Sequence, residues 1–225
     1  MKEFNLLEGY PNPQNPRIVG KNLRSIDCRI VASKRDKEFF DGDRNYGYGG
    51  FKYDGRWIPV ASKINQTYLT SQHSKFLQIN CEKGFLLNDI LKANPSAEVF
   101  GTETSNYAIK ESLSSVKSNI ISAKPTKLPF EDNFFDYIVA IGTIYTLTLV
   151  DALNAISEII RVSKGKSFIT LATYNTEEEY FLFKDWTLLG TLLFTREEWI
   201  EILNSVNYKG DYYFTDANTL NLARE

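Results

Sequence analysis

From Lys75 onward, short apolar runs alternate with longer stretches whose apolar residues recur at helical spacing. The runs at 76–80, 97–102, 118–122, 135–141 and 166–172 have the length and the β-branched and aromatic content of strands. Between them, 84–93, 105–116, 150–162 and 195–205 carry the i, i+3, i+4 pattern of helices. The run Phe135-Asp136-Tyr137-Ile138-Val139-Ala140-Ile141 is apolar almost throughout, as a strand buried on both faces should be. Asn94-Pro95 closes the first helix, and Thr195-Arg196-Glu197-Glu198 has the form of a capping box that opens the last. Repeated βα units of this kind predict an α/β fold, a doubly wound and mostly parallel sheet. The pattern changes at the tail. Residues 211–215 are followed by a turn at Asp216-Ala217-Asn218 and a short return, which predicts an antiparallel edge strand.

The first third of the chain is patterned differently. Residues 1–20 are rich in Pro and Asn and show no periodic apolar face. Ile26, Ile30, Val31, Phe39 and Phe40 predict a helix over 25–40, with Asp27 in its first turn. Residues 41–57 are dominated by glycine and aromatics, and a second helix is predicted at 59–69. The expected organisation is one compact domain, with 1–74 as an N-terminal cap and lid and 75–225 as the α/β core.

Composition narrows the function classes. At 225 residues and 14% aromatic content, the chain can fill one generous core. The net charge of −2, without a basic tract, argues against a nucleic-acid backbone as partner. The longest apolar run, 137–150, is too short and too polar to span a bilayer, so no membrane partner is expected. The first residues lack the charged-then-apolar pattern of an export signal. Cys28 and Cys81 read as free thiols in a reducing compartment, which makes the expected location cytoplasmic. The single histidine, His73, sits in a polar linker, so neither a zinc site nor a histidine triad is expected, and no metal.

Candidate chemistry centres on residues 76–87. An apolar strand runs into a tight turn and then into a helix opened by Gly84, the layout of a phosphate- or nucleoside-binding loop. This segment is similar to motif I of the class I S-adenosylmethionine-dependent methyltransferases. Val99-Phe100-Gly101-Thr102-Glu103-Thr104-Ser105 resembles the end of their second strand. Leu128-Pro129-Phe130-Glu131-Asp132-Asn133-Phe134-Phe135-Asp136 resembles the Leu-Pro-Phe and Phe-Asp segment that enters their fourth strand and is the strongest match. Ile159-Ile160-Arg161-Val162, followed by Gly165, resembles the helix and turn before their fifth. The resemblance covers about 75–215 and implies a Rossmann-like seven-stranded sheet with the cofactor at the carboxyl ends of the strands. The aromatic–glycine segment also resembles the lid of small-molecule methyltransferases.

Carried over position by position, the resemblance gives Glu103 the role of the ribose-binding acid, about twenty residues past the glycine turn. Gly84 matches the last motif I glycine. Gln78, Asn80, Glu82, Thr104, Ser122, Ala123 and Ile141 fall at the remaining cofactor positions. Several of these depart from the family: Gln78 stands for an acid, Asn80 and Glu82 for glycines, and Ser122-Ala123 for Asp-Ala, so motif I is degenerate. Asn tolerates a left-handed backbone, and Ser122 can still hydrogen-bond. Glu82 places bulk and charge where the methionine end of the cofactor would approach, unless it pairs with that end's amino group.

Tyr145 is the catalytic candidate, as general base or hydrogen-bond partner, although a base near neutrality needs a pKa far below about 10. Tyr46, Tyr48, Tyr53 and Arg56 are the substrate-binding candidates, with Arg56 suited to clamp a carboxylate or phosphate. The implied activity is methyl transfer from S-adenosylmethionine to a polar small-molecule acceptor such as a sugar derivative. Two alternatives stay open: an inactive pseudoenzyme serving as scaffold or partner of an active relative, and a binder of another adenosine-like ligand. A homo-oligomer, or a hetero-oligomer with a related methyltransferase, is the assembly these readings allow.

Overall fold

The structure, a computed structural model, describes residues 1–20 and 24–225. The main sheet is formed by β2 (Lys75–Ile79), β3 (Glu98–Glu103), β4 (Ile120–Ser122), β5 (Tyr137–Ala140), β6 (Ser167–Ala172) and β7 (Asp211–Thr215), in the order β4-β3-β2-β5-β6-β7. Every pairing in it is parallel. The winding direction reverses between β2 and β5, and this switch point opens a crevice at the carboxyl ends of the two strands.

Alternation along the strands builds two apolar layers. Leu77, Ile79, Ile138, Ala140, Ile169 and Leu171 pack with α6 (Leu149–Val162) and α8 (Arg196–Ser205), through residues such as Ile156, Ile159 and Trp199. Phe76, Val99, Tyr137, Val139 and Phe168 pack with α4 (Phe85–Ala93) and α3 (Ile58–Thr67), through Leu86, Ile90, Val60 and Ile64. Both faces of β5 and β6 are buried, which is why these strands read as continuous apolar runs. Helix α3, drawn from the segment expected to be a cap, is thus a layer of the core: Val60, Ala61 and Ile64 are wholly buried. The predicted capping box of α8 is present, with Thr195 and Glu198 satisfying each other's backbone N–H groups.

The α/β class and the parallel, doubly wound sheet are as the pattern predicts; five details differ. The main sheet has six strands rather than seven, and the antiparallel edge strand is not formed. Asp216 and Thr219 exchange backbone-to-side-chain hydrogen bonds in a turn that carries the chain away from β7. The return, β8 (Leu222–Arg224), then pairs in parallel with β1 (Arg17–Val19) in a small separate sheet. The outer edge of β7 accepts a single parallel bridge from Glu3 instead.

The helix predicted over 25–40 is two, α1 (Ile26–Ser33) and α2 (Lys37–Asp41), broken where Arg35 adopts φ +47° and Asp36 caps α2. The helix predicted over 105–116 is one short element, α5 (Asn106–Lys110). Beyond it, the Leu113 N–H donates to the Lys83 carbonyl and draws the segment onto the turn after β2. Helix α7 (Glu177–Trp186) carried no clear period in the sequence; three consecutive glutamates in its first turn, together with the Thr176 cap, favour it at that end. Among the described residues, no helix is long and apolar enough to cross a membrane.

Candidate functional site

The turn after β2 keeps the backbone of a glycine-rich loop without its glycines. Asn80, Glu82 and Gly84 all have positive φ, at +53°, +54° and +75°. In residues with a Cβ, this conformation costs on the order of 1–2 kcal/mol each, less for Asn. Gly84 is needed twice over: besides its φ, an added Cβ would lie 2.7 Å from Val116 Cγ2. The Cys81 N–H donates to the Thr102 carbonyl, and only a residue without a Cβ at 101 lets the Cys81 sulfur lie against β3. Burial pushes the Cys81 thiol well above its ordinary pKa, so it is an inert packing group.

Glu103, the last residue of β3, is completely buried and fully engaged. Its Oε1 accepts the N–H groups of Thr104 and Ser105, each at 2.8 Å, and its Oε2 accepts the Glu82 N–H at 2.9 Å. The Arg35 guanidinium completes the set, Nη2 lying 3.2 Å from both oxygens. The break between α1 and α2 aims Arg35 inward, and Ser105, which caps α5, latches that break by donating from Oγ to the Arg35 carbonyl. Phe39 and Phe40 flank the guanidinium at 5.6 and 5.7 Å. The carboxylate assigned by resemblance to a ribose diol is therefore held by the protein's own arginine. The sequence offers no spacing or motif that singles out Arg35.

Beside this pair, at the switch point, a cavity of about 500 Å³ opens. Its floor is Asn80, Thr104, Pro125, Thr146 and Leu147 from the carboxyl ends of the strands. Its roof is α1, through Ile26, Arg29 and Ile30, together with residues 188–191. This size suits a nucleoside-sized ligand. Two buried oxygens at the turn, Gln78 Oε1 and Asn80 Oδ1, have no hydrogen-bond partner among the described residues. Ser122 is exposed at the end of β4, and the N–H of Ala123 donates to the Glu103 carbonyl. Ile141 follows β5 and is half-buried.

The half-buried Glu82 carboxyl is pushed up to about 7, first by burial and then by Glu103, with Arg35 and Lys83 acting in the opposite direction. It is poised to titrate near neutrality. Tyr145 follows β5 in a 3-10 turn over Ile144–Thr146, with its hydroxyl above the Cα of Gly142. Burial raises its pKa, with Tyr48 and Glu82 adding to the shift, so the hydroxyl stays protonated at neutral pH and is suited to donate a hydrogen bond rather than to accept a proton.

The lid candidates divide. Tyr48 reaches the roof: its hydroxyl accepts the N–H groups of Leu188 and Leu189 at 2.7 and 3.0 Å. Tyr53 lies instead against α4, donating to Asp89 at 2.6 Å and accepting from Lys92. Arg56 is paired with Asp54, and Tyr46 is half-buried in a turn whose N–H donates to the Asp43 carbonyl. Sequence reasoning missed Tyr10, Arg17, Arg24 and Arg44, which the fold gathers around the same lid. His73 is exposed just before β2, and among the described residues no cluster of metal-ligating side chains is found.

With this geometry in view, comparisons place the fold. Residues 77–171 match the family model described as Methyltransferase domain, rather less than half of the chain. The YcgJ protein of Bacillus subtilis has a similar structure at 16% identity, with a TM-score of 0.53 over 68% of each chain. The [4+2]-cyclase SpnF is similar at 13% identity, with a TM-score of 0.55 over 84% of this chain and 74% of its own. A chain of the complex between the Haloferax volcanii Trm112 methyltransferase activator and a methyltransferase is also similar at 13% identity, with a TM-score of 0.52 over 80% of this chain and 75% of that one. No curated protein matches the chain in sequence. Residues 77–171 are thus similar to a methyltransferase domain, set in a Rossmann-like α/β fold. At these identities the structural likenesses speak for the fold alone, and one of the neighbours is a cyclase.

Proposed function

We propose that the chain is an S-adenosylmethionine-dependent methyltransferase-like protein acting on a polar small molecule held beneath its N-terminal lid. The observation that carries this reading is a buried acid at the end of β3, wrapped by a turn with three left-handed positions, beside a cavity at the switch point. The residues fit a nucleoside once Arg35 leaves Glu103. The carboxylate then keeps three backbone N–H donors and gains the two ribose hydroxyls, while the guanidinium returns to water, so neither group is left buried and unpaired.

When bound, the cofactor would supply an electrophilic methyl group already activated by its sulfonium, and the protein's task is chiefly positioning. Asn80 Oδ1 and Gln78 Oε1 are acceptors without partners at the turn. Glu82, ionised above about pH 7, is suited to an ammonium group. Tyr145 offers a hydrogen bond to the acceptor.

One observation favours a second reading. Arg35 satisfies Glu103 with no ligand present, as a retired site kept as a scaffold would require. Calorimetry separates the two. Saturable micromolar binding of adenosylmethionine or adenosylhomocysteine is expected, about tenfold tighter in Arg35→Ala and lost in Glu103→Gln, with circular dichroism confirming the fold of each variant. Absence of binding at millimolar ligand in both the wild type and Arg35→Ala would overturn the transferase reading and leave the scaffold. Assembly with a partner protein, in either case, is a matter for light scattering.

A further inference from the structure

A second concentration of charge stands on the lid, around residues that the nucleoside crevice does not use. The indole of Trp186 carries two guanidiniums, Arg24 at 5.3 Å and Arg17 at 5.7 Å, and Arg24 also lies 4.9 Å from the ring of Tyr48. Arg44 lies against the bare backbone of Gly49, and Arg56 against that of Gly50. These two adjacent glycines have φ of +74° and +80°, and a side chain on either would displace its arginine. The four cations are close enough to act on one another: Arg44 and Arg17 disfavour the charge on Arg24, Arg44 that on Arg17, and Arg56 that on Arg44, with burial the larger cause in each case.

Counter-charge is scarce. Asp54 answers Arg56 alone. Arg17 and Arg44 donate only to the carbonyls of Leu220 and Gly47, and Arg24 Nη1 is buried with no partner among the described residues. Among those residues, none of these three forms an ion pair; the chain's other salt bridges lie elsewhere. In a chain of net charge −2, this is a local feature rather than a basic surface. Like charges packed on aromatic faces repel unless an anion sits among them, and the planar fork of arginine suits phosphate and carboxylate oxygens.

The cluster adjoins the crevice. Tyr48, beneath Arg24, holds the N–H groups of residues 188 and 189 that roof the cavity. Tyr10, beside Arg56, and Tyr145 both sense the charge of Glu82.

We propose that Arg17, Arg24 and Arg44 form a binding site for an anionic group, a phosphate or a carboxylate, so that the acceptor of this protein is an anionic small molecule. The word acceptor rests on the methyl-transfer reading; the anion site does not. The test therefore omits adenosylmethionine. The full chain is titrated with inorganic pyrophosphate and, in a second arm, with citrate, following tryptophan fluorescence, because Trp186 is one of only three tryptophans. Saturable binding that weakens with added salt is expected. Arg17→Gln and Arg44→Gln should each weaken it roughly fivefold or more. Circular dichroism checks that both variants are folded, and Lys209→Gln, an exposed control, should change nothing. The tighter of the two probes identifies the group recognised. No saturation at tens of millimolar of either probe, or equal weakening in Lys209→Gln, would overturn the proposal, whatever calorimetry says of the nucleoside site.

Discussion

The two edges of the sheet are built in opposite ways. At the amino edge, before β5, the segment 128–136 is tied down by hydrogen bonds and ion pairs from α6, β2 and the turn before β6. Arg161 donates to the carbonyls of Leu128 and Phe130, at 3.0 and 2.8 Å, and pairs with Glu158 and Asp132. Asp136 accepts the Lys75 N–H at 2.7 Å and pairs with Lys164. Phe100, Phe130, Phe134 and Phe135 pack largely edge to face.

At the carboxyl edge, the turn 80–84 holds two non-glycine residues at positive φ, a carboxyl pushed up to about 7 and the Asn80 Oδ1, which like Gln78 Oε1 on β2 has no partner among the described residues. The segment that most clearly resembles the methyltransferases is thus an anchor for the sheet, while the turn 80–84 carries side chains at left-handed positions. A strong signature reports what the fold needs. It is not by itself a measure of the chemistry that survives.

Perturbing each edge separately should sharpen this contrast. The largest effect is expected at the anchor. Phe135 is wholly buried, so Phe135→Ala should cost about 3–5 kcal/mol in denaturant unfolding. The melting point should fall by roughly 6–20 °C for a domain of this size, with ligand affinity of the folded protein unchanged. A loss confined to ligand binding would contradict the division of labour.

A smaller effect belongs to Glu82. Its carboxyl is raised from an ordinary 4.5 to about 7, so between these values the folded chain holds a proton that the unfolded chain has released. The stability linked to it is complete below about 4.5, declines as pH rises, and is gone above about 7. Glu82→Gln removes the titration and should gain about 1–3 kcal/mol over wild type at pH 8 and almost nothing at pH 4. Urea curves at the two pH values check this, and a gain independent of pH would refute it. The smallest effect is at Asn80: Asn80→Gly relieves a left-handed side-chain-bearing residue and removes a buried unpartnered oxygen, for a gain under about 1 kcal/mol. A loss of stability there would mean that the amide is held by something other than strain.

Much of the architecture was legible because strands buried on both faces and amphipathic helices carry their environment in their period. The runs at 76–80, 135–141 and 166–172 lie within a residue or two of β2, β5 and β6. The tail was not legible in the same way. Alternation in 211–215 announces a strand, but the partner of the return segment depends on where Arg17–Val19 lies, and no local pattern encodes that. The long predicted helix at 25–40 failed for a related reason: apolar residues at helical spacing flank residue 35 on both sides, and only the contacts of Arg35 with Glu103 and Ser105 show why the chain breaks there.

The candidate site splits along the same line. The turn at 80–84 and the acid at 103 were visible because short-range spacing places a turn after a strand and an acid at the end of the next. The partner of that acid was not, nor was the convergence of Arg17, Arg24 and Arg44, because these residues are brought together across long stretches of chain. By itself the sequence determined the main strands, the class of sheet and the turn after β2, all of which follow from local periodicity and steric preference. Tertiary structure alone decided which charge answers Glu103, which cations crowd the lid and where the last strand goes, because electrostatic partnership depends on distance through space, and distance through space is what a linear pattern leaves open.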